Sequence, residues 1–328
     1  MYNMVEDMDS QMLYQGPLDM ENIPFDLMAY FEFLFGYAMM LKSGQTIRGC
    51  LILESTSYLY DLRILIHLRG RARTTWVETV TGKIFEYSEN HVYSEQPLQC
   101  PRPESPGLLP PGLQTLYFSF RLPPSAPSTF ECDFGCITYK IEAQVQQGQT
   151  FLATVDKDIF VLSTVRPNHL SIISSSPYTV RQIFLRKSSI HEFLKYGLSL
   201  CMSSPPFAIS GEYFNVDLVI KNRTLKNRSN LCLLLYQQVL IKSKRKDEQT
   251  DETENDSKFI HNIVDTTVLD TINKMKCYKS VVKVYLPRLL PPTSVYNSCV
   301  NWKYVLKLEA GGKKFIQSEI AVILPENL

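Results

Sequence analysis

The densest concentration of potential chemistry in the 328-residue chain is LRILIHLRGRARTTW (62–76). Its odd positions include Arg63, His67, Arg69, Arg71 and Arg73, and its even positions Leu62, Ile64, Ile66, Leu68, Ala72 and Trp76 are apolar or small. If one strand runs through Gly70, successive cations stand about 7 Å apart on a single sheet face. Arginine offers a planar fork of donors, so such a row suits an acidic or phosphorylated segment. The alternative is a solvated outer face. A second basic group, Lys242, Lys244, Arg245 and Lys246, opens the run KSKRKDEQTDETENDSK (242–258), whose remainder is largely acidic. That run reads as a solvated loop between strands that could grip an anionic ligand.

Residues for other chemistry are scattered. Histidines 67, 91, 169, 191 and 261 stand alone, and His191-Glu192 is followed at position 195 by Lys rather than a second zinc ligand. Cys132 and Cys136 have no nearby second Cys/His pair, and Gly311-Gly312-Lys313 lacks the spacing of a phosphate-binding loop. Neither a thioredoxin-like Cys-x-x-Cys nor a Gly-x-Ser-x-Gly elbow occurs. No catalytic, cofactor or metal site is therefore expected. With 34 Lys+Arg against 33 Asp+Glu, the net charge of +1 provides no global attraction to nucleic acid, so any electrostatic site must be local. Eight scattered cysteines without a secretory leader suggest reduced thiols in a cytosolic chain.

Alternation with period two is the dominant pattern of the elements that would carry these residues. Ile47, Gly49, Leu51 and Leu53 share a face, as do Leu116, Phe118, Phe120 and Leu122, and Ile137, Tyr139, Ile141, Ala143 and Val145. The rhythm returns in Phe214, Val216, Leu218 and Ile220, and in Trp302, Tyr304, Leu306 and Leu308. Strands apolar on one face only are expected of antiparallel sheets packed as sandwiches, an all-β class. The window 25–41 is apolar enough to suggest a membrane span, but Asp26 and Glu32 and the alternating Phe31, Phe33 and Phe35 favour a half-buried strand. RQIFLRKSSIHEFLK (181–195) could form a short helix.

The chain also repeats itself. LPPSAPSTFECDFGCITYKIEAQV (122–145) is answered by LPRLLPPTSVYNSCVNWKYVLKLEA (286–310), with Tyr139 and Tyr304 165 positions apart, and SGQTIRGCLIL (43–53) by SGEYFNVDLVI (210–220), 167 apart. A duplicated unit follows from two landmark pairs at nearly one offset. Residues 1–24, with five acidic side chains and no Lys or Arg, read as a loose acidic leader, and 166–178 as a linker. The two copies then occupy 25–165 and 179–328, the latter carrying the charged loop 242–258.

In order, Gly70, Ala72, Trp76 and Glu78, then Leu122, Pro123, Ser128, Phe130, Glu131, Gly135 and Tyr139 resemble the amino-terminal domain of the arrestin-domain-containing proteins, the alpha-arrestins. Gly211-Glu212, Leu286-Pro287, Pro291-Pro292 and the Tyr304 strand resemble the carboxy-terminal arrestin domain. The resemblance implies two tandem immunoglobulin-like β-sandwiches and a non-catalytic trafficking adaptor. Such a protein would be cytoplasmic, recruited to plasma membrane or endosomes, and would bind receptor or transporter cargo. Two further readings are a structural subunit of a retromer-like sorting coat and a redox-regulated binding protein. The chain departs from the family in having Ser43 and Ser210 where Pro often precedes the Gly-acid turn, and in having no Pro-Pro-x-Tyr. A form without the usual tail is expected, with any ubiquitin ligase engaged indirectly.

Overall fold

A computed structural model describes residues 27–33, 40–80, 83–99, 108–164, 178–185, 197–246, 255–294, 299–310 and 313–325. Every regular element among them is a strand. Among the described residues no helix is long and apolar enough to cross a membrane. The acidic leader and almost all of the expected linker lie outside the described residues. Of the stretch given a helical reading, residues 181–185 belong to a strand and 186–195 lie outside them.

In the first half, β1 (Leu27–Phe33), β3 (Thr46–Ser55) and β6 (Gly112–Arg121) form one sheet in the order β1-β3-β6. Facing it are β4 (Leu62–Val80), β5 (Lys83–Gln99), β8 (Gly135–Gln147), β9 (Thr150–Leu162) and β2 (Met40–Lys42), in the order β5-β4-β8-β9-β2, with β7 (Phe130–Cys132) hairpinned to β8. The second half repeats the plan. β10 (Tyr178–Leu185), β11 (Gly197–Ser204), β13 (Tyr213–Asn222) and β16 (Lys276–Tyr285) make the first layer. The second contains β15 (Asn255–Val268), β14 (Leu231–Lys246), β17 (Val300–Ala310), β18 (Lys313–Ile323) and β12 (Phe207–Ile209). In both halves the short strand, β2 or β12, joins the last long one in parallel. The apolar sets read from the sequence line the interiors: Ile47, Leu51, Leu53, Phe118, Phe120, Ile137, Ile141 and Val145 are buried, as are Phe214, Val216, Leu218, Ile220, Leu306 and Leu308.

The repeated motifs do the same work twice. Gly44 and Gly211 take the left-handed conformation at φ of 83° and 87°, where a side chain would be strained. Each turn is tied to the start of the Leu-Pro segment, Leu122 N–H donating to Gln45 O at 2.8 Å and Leu286 N–H to Glu212 O at 3.1 Å. The Pro/Ser stretches then supply carbonyls: Tyr139 donates its phenol proton to Pro127 O at 2.8 Å, and Tyr304 to Pro291 O. This explains the repeated spacing, because a buried tyrosine hydroxyl needs an acceptor and the irregular Pro-rich segment has carbonyls to spare.

What the sequence left open is how the halves meet. The tip of β14 pairs with β5, Lys244 opposite Ser88, Arg245 opposite Tyr87 and Lys246 opposite Glu86, so the two larger layers fuse into one 11-stranded sheet. Behind it, Phe130 stacks on Trp302 at 4.7 Å and joins the two interiors into one apolar core. Gly135 is wedged there. A Cβ would meet Arg73 O at 3.0 Å and Val300 Cγ2 at 3.2 Å.

Candidate functional site

Strand β4 runs unbroken past Gly70, and its pairing with β8 continues without a shift from Leu62 opposite Gln147 to Thr74 opposite Gly135. Strand alternation therefore places Arg63, His67, Arg69, Arg71 and Arg73 on one face, while Ile66, Leu68, Ala72 and Trp76 enter the core. Gly70 is required by close approach, since a Cβ there would lie 2.5 Å from Cε1 of Tyr139.

The expected cation ladder is nonetheless interrupted in the middle. His67 is only 9% exposed, and Arg69 Nη1 donates to Glu142 Oε2 at 2.6 Å. β8 brings these acids and bases into register, with Glu142 directly across from His67 and Lys140 across from Arg69. Asp156 and Asp158 of β9 hold Lys140 in turn, at 2.8 and 3.4 Å, and the hydrogen bond Lys140 donates to Asp156 is the main reason its ammonium is held above its ordinary pKa. Arg63 and Arg73, at the two ends, are exposed and make no ion pair among the described residues.

The run 242–258 also differs from the expected loop. Residues 242–246 are the end of β14 and 255–258 the start of β15, with 247–254 outside the described residues. Lys242 and Lys244 are exposed on the same outer face as the β4 cations, because Lys244 pairs with Ser88 and Ser88 with Thr75. Alternation turns Arg245 to the opposite face, where its guanidinium lies 3.7 Å over the ring of Phe85. Lys246 closes the ladder opposite Glu86, and its side chain lies outside the described residues. The four basic residues thus do not act as one group; two of them extend the β4 face across the junction.

That opposite face carries contacts the sequence did not signal. Lys258 donates to Glu78 at 2.7 Å and its ammonium stands 5.3 Å from the Trp76 ring and 4.7 Å from that of Phe134. Trp76 stacks on Tyr87 at 5.2 Å, and Thr74 Oγ1 donates to Lys242 O at 3.0 Å. Each contact joins residues more than 160 positions apart or on separate strands, and no local pattern could reveal them. Cys132 and Cys136 sit at the β7–β8 turn. The Cys132 thiol donates to Gly135 O at 3.1 Å, and burial raises its pKa, so it is not poised as a thiolate. Among the described residues no three His, Cys, Asp or Glu side chains are grouped to hold a metal ion.

The described residues form two packed sandwiches that share one broad sheet with a patterned charged face, an all-β two-layer class. The family described as Arrestin (or S-antigen), N-terminal domain, matches residues 33–168. Arrestin domain-containing protein 15 of Caenorhabditis elegans is 26% identical over 253 residues, 74% of this chain and 65% of that protein. Arrestin domain-containing protein 17 of the same organism is 28% identical over 236 residues, 65% of this chain and 52% of that one. Arrestin domain-containing protein 5 of Homo sapiens is 28% identical over 134 residues, 40% of this chain and 39% of that protein. The chain therefore spans less than two thirds of the length of these curated relatives. Residues 33–168 thus match the arrestin amino-terminal domain, as the ordered motifs of the first half implied, and the chain is similar to arrestin domain-containing proteins.

Proposed function

We propose that the protein is a non-catalytic adaptor whose continuous outer sheet face binds acidic or phosphorylated segments of membrane proteins and links them to trafficking and signalling machinery. The observation that carries this reading is the placement of Arg63, Arg73, Lys242 and Lys244, all exposed and without ion pairs among the described residues, on one face built from both halves. One exposed ion pair contributes roughly 0.2 to 1 kcal/mol, so a partner must engage several of them. Binding of this kind weakens as salt rises. Family likeness supports the adaptor role, with receptors or transporters as cargo, a cytoplasmic protein recruited to plasma membrane or endosomes, and a ubiquitin ligase engaged through another protein.

The test is fluorescence anisotropy of a doubly phosphorylated serine/threonine peptide against the wild type and the R63E/R73E variant. The variant is expected to lose binding at unchanged melting temperature, and the wild-type affinity to fall between low and physiological salt. Equal affinity of the two proteins would reject the reading. A stable stoichiometric complex purified from native cells, with no cargo tail in it, would point instead to a structural subunit of a sorting coat.

A further inference from the structure

The internal repeat makes β15 the counterpart of β5: each pairs along one side with the long second strand of its layer, β14 or β4. The outer edge of β5 is in use, since the tip of β14 adds to it as an antiparallel strand. Among the described strands the same edge of β15 is not, from Asn255 to Ile263. Among the described strands β15 pairs with β14 alone, and apart from its far end, where Asp265 accepts from Tyr285 N–H at 3.1 Å, nothing described runs along it. From Asn255 to Ile263 it presents a row of backbone donors and acceptors.

Natural sheets usually protect such an edge with charge, proline or a cover. Here Phe259 is 58% exposed and Ile263 is 56% exposed, and both point to the outer face with His261 between them. Behind them in register stand Leu240, Gln238 and Tyr236 of β14, and the Tyr236 ring meets that of His261 edge-on at 6.2 Å. The next two rows toward the start of β15 change character. Ser257 and Asn255 are backed by Lys242 and Lys244, both exposed.

We infer that the open edge of β15, from Asn255 to Ile263, takes up an extended peptide segment of a partner protein as an added strand. Main-chain hydrogen bonds hold such a segment and alternate side chains give selectivity. Those beside Ile263, His261 and Phe259 are apolar, and those reaching the Ser257 and Asn255 rows are acidic, to meet Lys244 and Lys242. The occupant is thus an alternating apolar strand with an acidic end. This surface goes beyond the anion-facing reading, because it rests on a backbone edge and an apolar row that the β4 arginines do not form.

The experiment uses the full chain and two fluorescein-labelled ten-residue peptides of alternating Val and Thr, one with Glu-Thr-Glu at its amino end and one with it at its carboxyl end. A third peptide of identical composition has its order shuffled so that valines no longer alternate. One of the alternating peptides is expected to bind, with new hydrogen-exchange protection confined to amides 255–263. F259K and I263K, both solvent-facing changes, should each weaken binding by about tenfold, and K242E/K244E should remove the preference for the acidic end. R63E/R73E should leave this binding unaltered, which separates it from the reading above. The inference is overturned if the shuffled peptide binds as well, if protection appears elsewhere, or if neither alternating peptide binds at about 1 mM. It is equally overturned if sedimentation shows a dimer of the chain that F259K dissolves and that no peptide displaces, since the occupant is then a second copy.

Discussion

The ring of Tyr139 lies against Gly70, so close that a methyl group at residue 70 would fall 2.5 Å from Cε1 and 2.7 Å from Cδ1. In the second half the corresponding pair is Tyr304 and Gln237, which face each other across β17 and β14. There the side-chain amide of Gln237 donates to the phenol oxygen at 3.2 Å instead. One architectural position is thus solved by absence of a side chain in one copy and by a hydrogen bond in the other.

Gly70→Ala is expected to destabilise the fold by about 1 to 3 kcal/mol, because the ring must leave Pro127 O or the backbone must yield. Urea denaturation of G70A, Y139L and the double variant checks this. The double variant should show less than the sum of the single losses, because the leucine no longer overlaps the added methyl.

Alkaline pH should weaken the fold through both tyrosines. Burial raises the pKa of Tyr139 and Tyr304 above the ordinary value of 10.0. The sign follows from linkage: above pH 10 the unfolded chain releases these protons and the folded one holds them, so stability is full below about 10 and falls as pH rises. Lys140, raised by Asp156, acts in the same direction and in the same window. Unfolding free energy measured from pH 8.5 to 11 should decline more steeply for the wild type than for Y139F/Y304F.

Charge removal at Glu142 tests the interruption in the basic row. Glu142→Gln takes away the negative charge set against Arg69, and as a partly exposed pair its loss should alter stability by no more than about 1 kcal/mol. Binding of the phosphorylated probe should tighten. A weaker complex in E142Q would show that Glu142 orients the face for its partner rather than masking it.

Trp302→Ala probes the union of the halves. The indole stacks on Phe130 and donates to Pro292 O at 2.8 Å, so its truncation should cost about 3 to 5 kcal/mol. Because the contact bridges both interiors, W302A should also split a single unfolding transition into two, visible by calorimetry or by limited proteolysis. K258A, at a partly exposed ion pair with Glu78, should cost about 1 kcal/mol or less and leave the transition whole.

The sequence alone determined the strand class, the duplicated plan and the common face of the β4 cations, because these follow from local alternation and from motifs recurring at a constant offset. The pairing of Gly44 with Gly211, and of Tyr139 with Tyr304, was legible because recurrence at a nearly constant offset is written in the chain itself, whatever each residue contacts. Tertiary structure decided everything that depends on register between distant strands. Glu142 silences Arg69 from 73 positions away, β14 adds to β5, Arg245 turns from its lysine neighbours to lie on Phe85, and among the described strands β15 pairs along one side only. Period-two patterning states which face a residue occupies, but the partner across the ladder is set by how whole strands align, and that alignment minimises the free energy of the entire core rather than of any single segment.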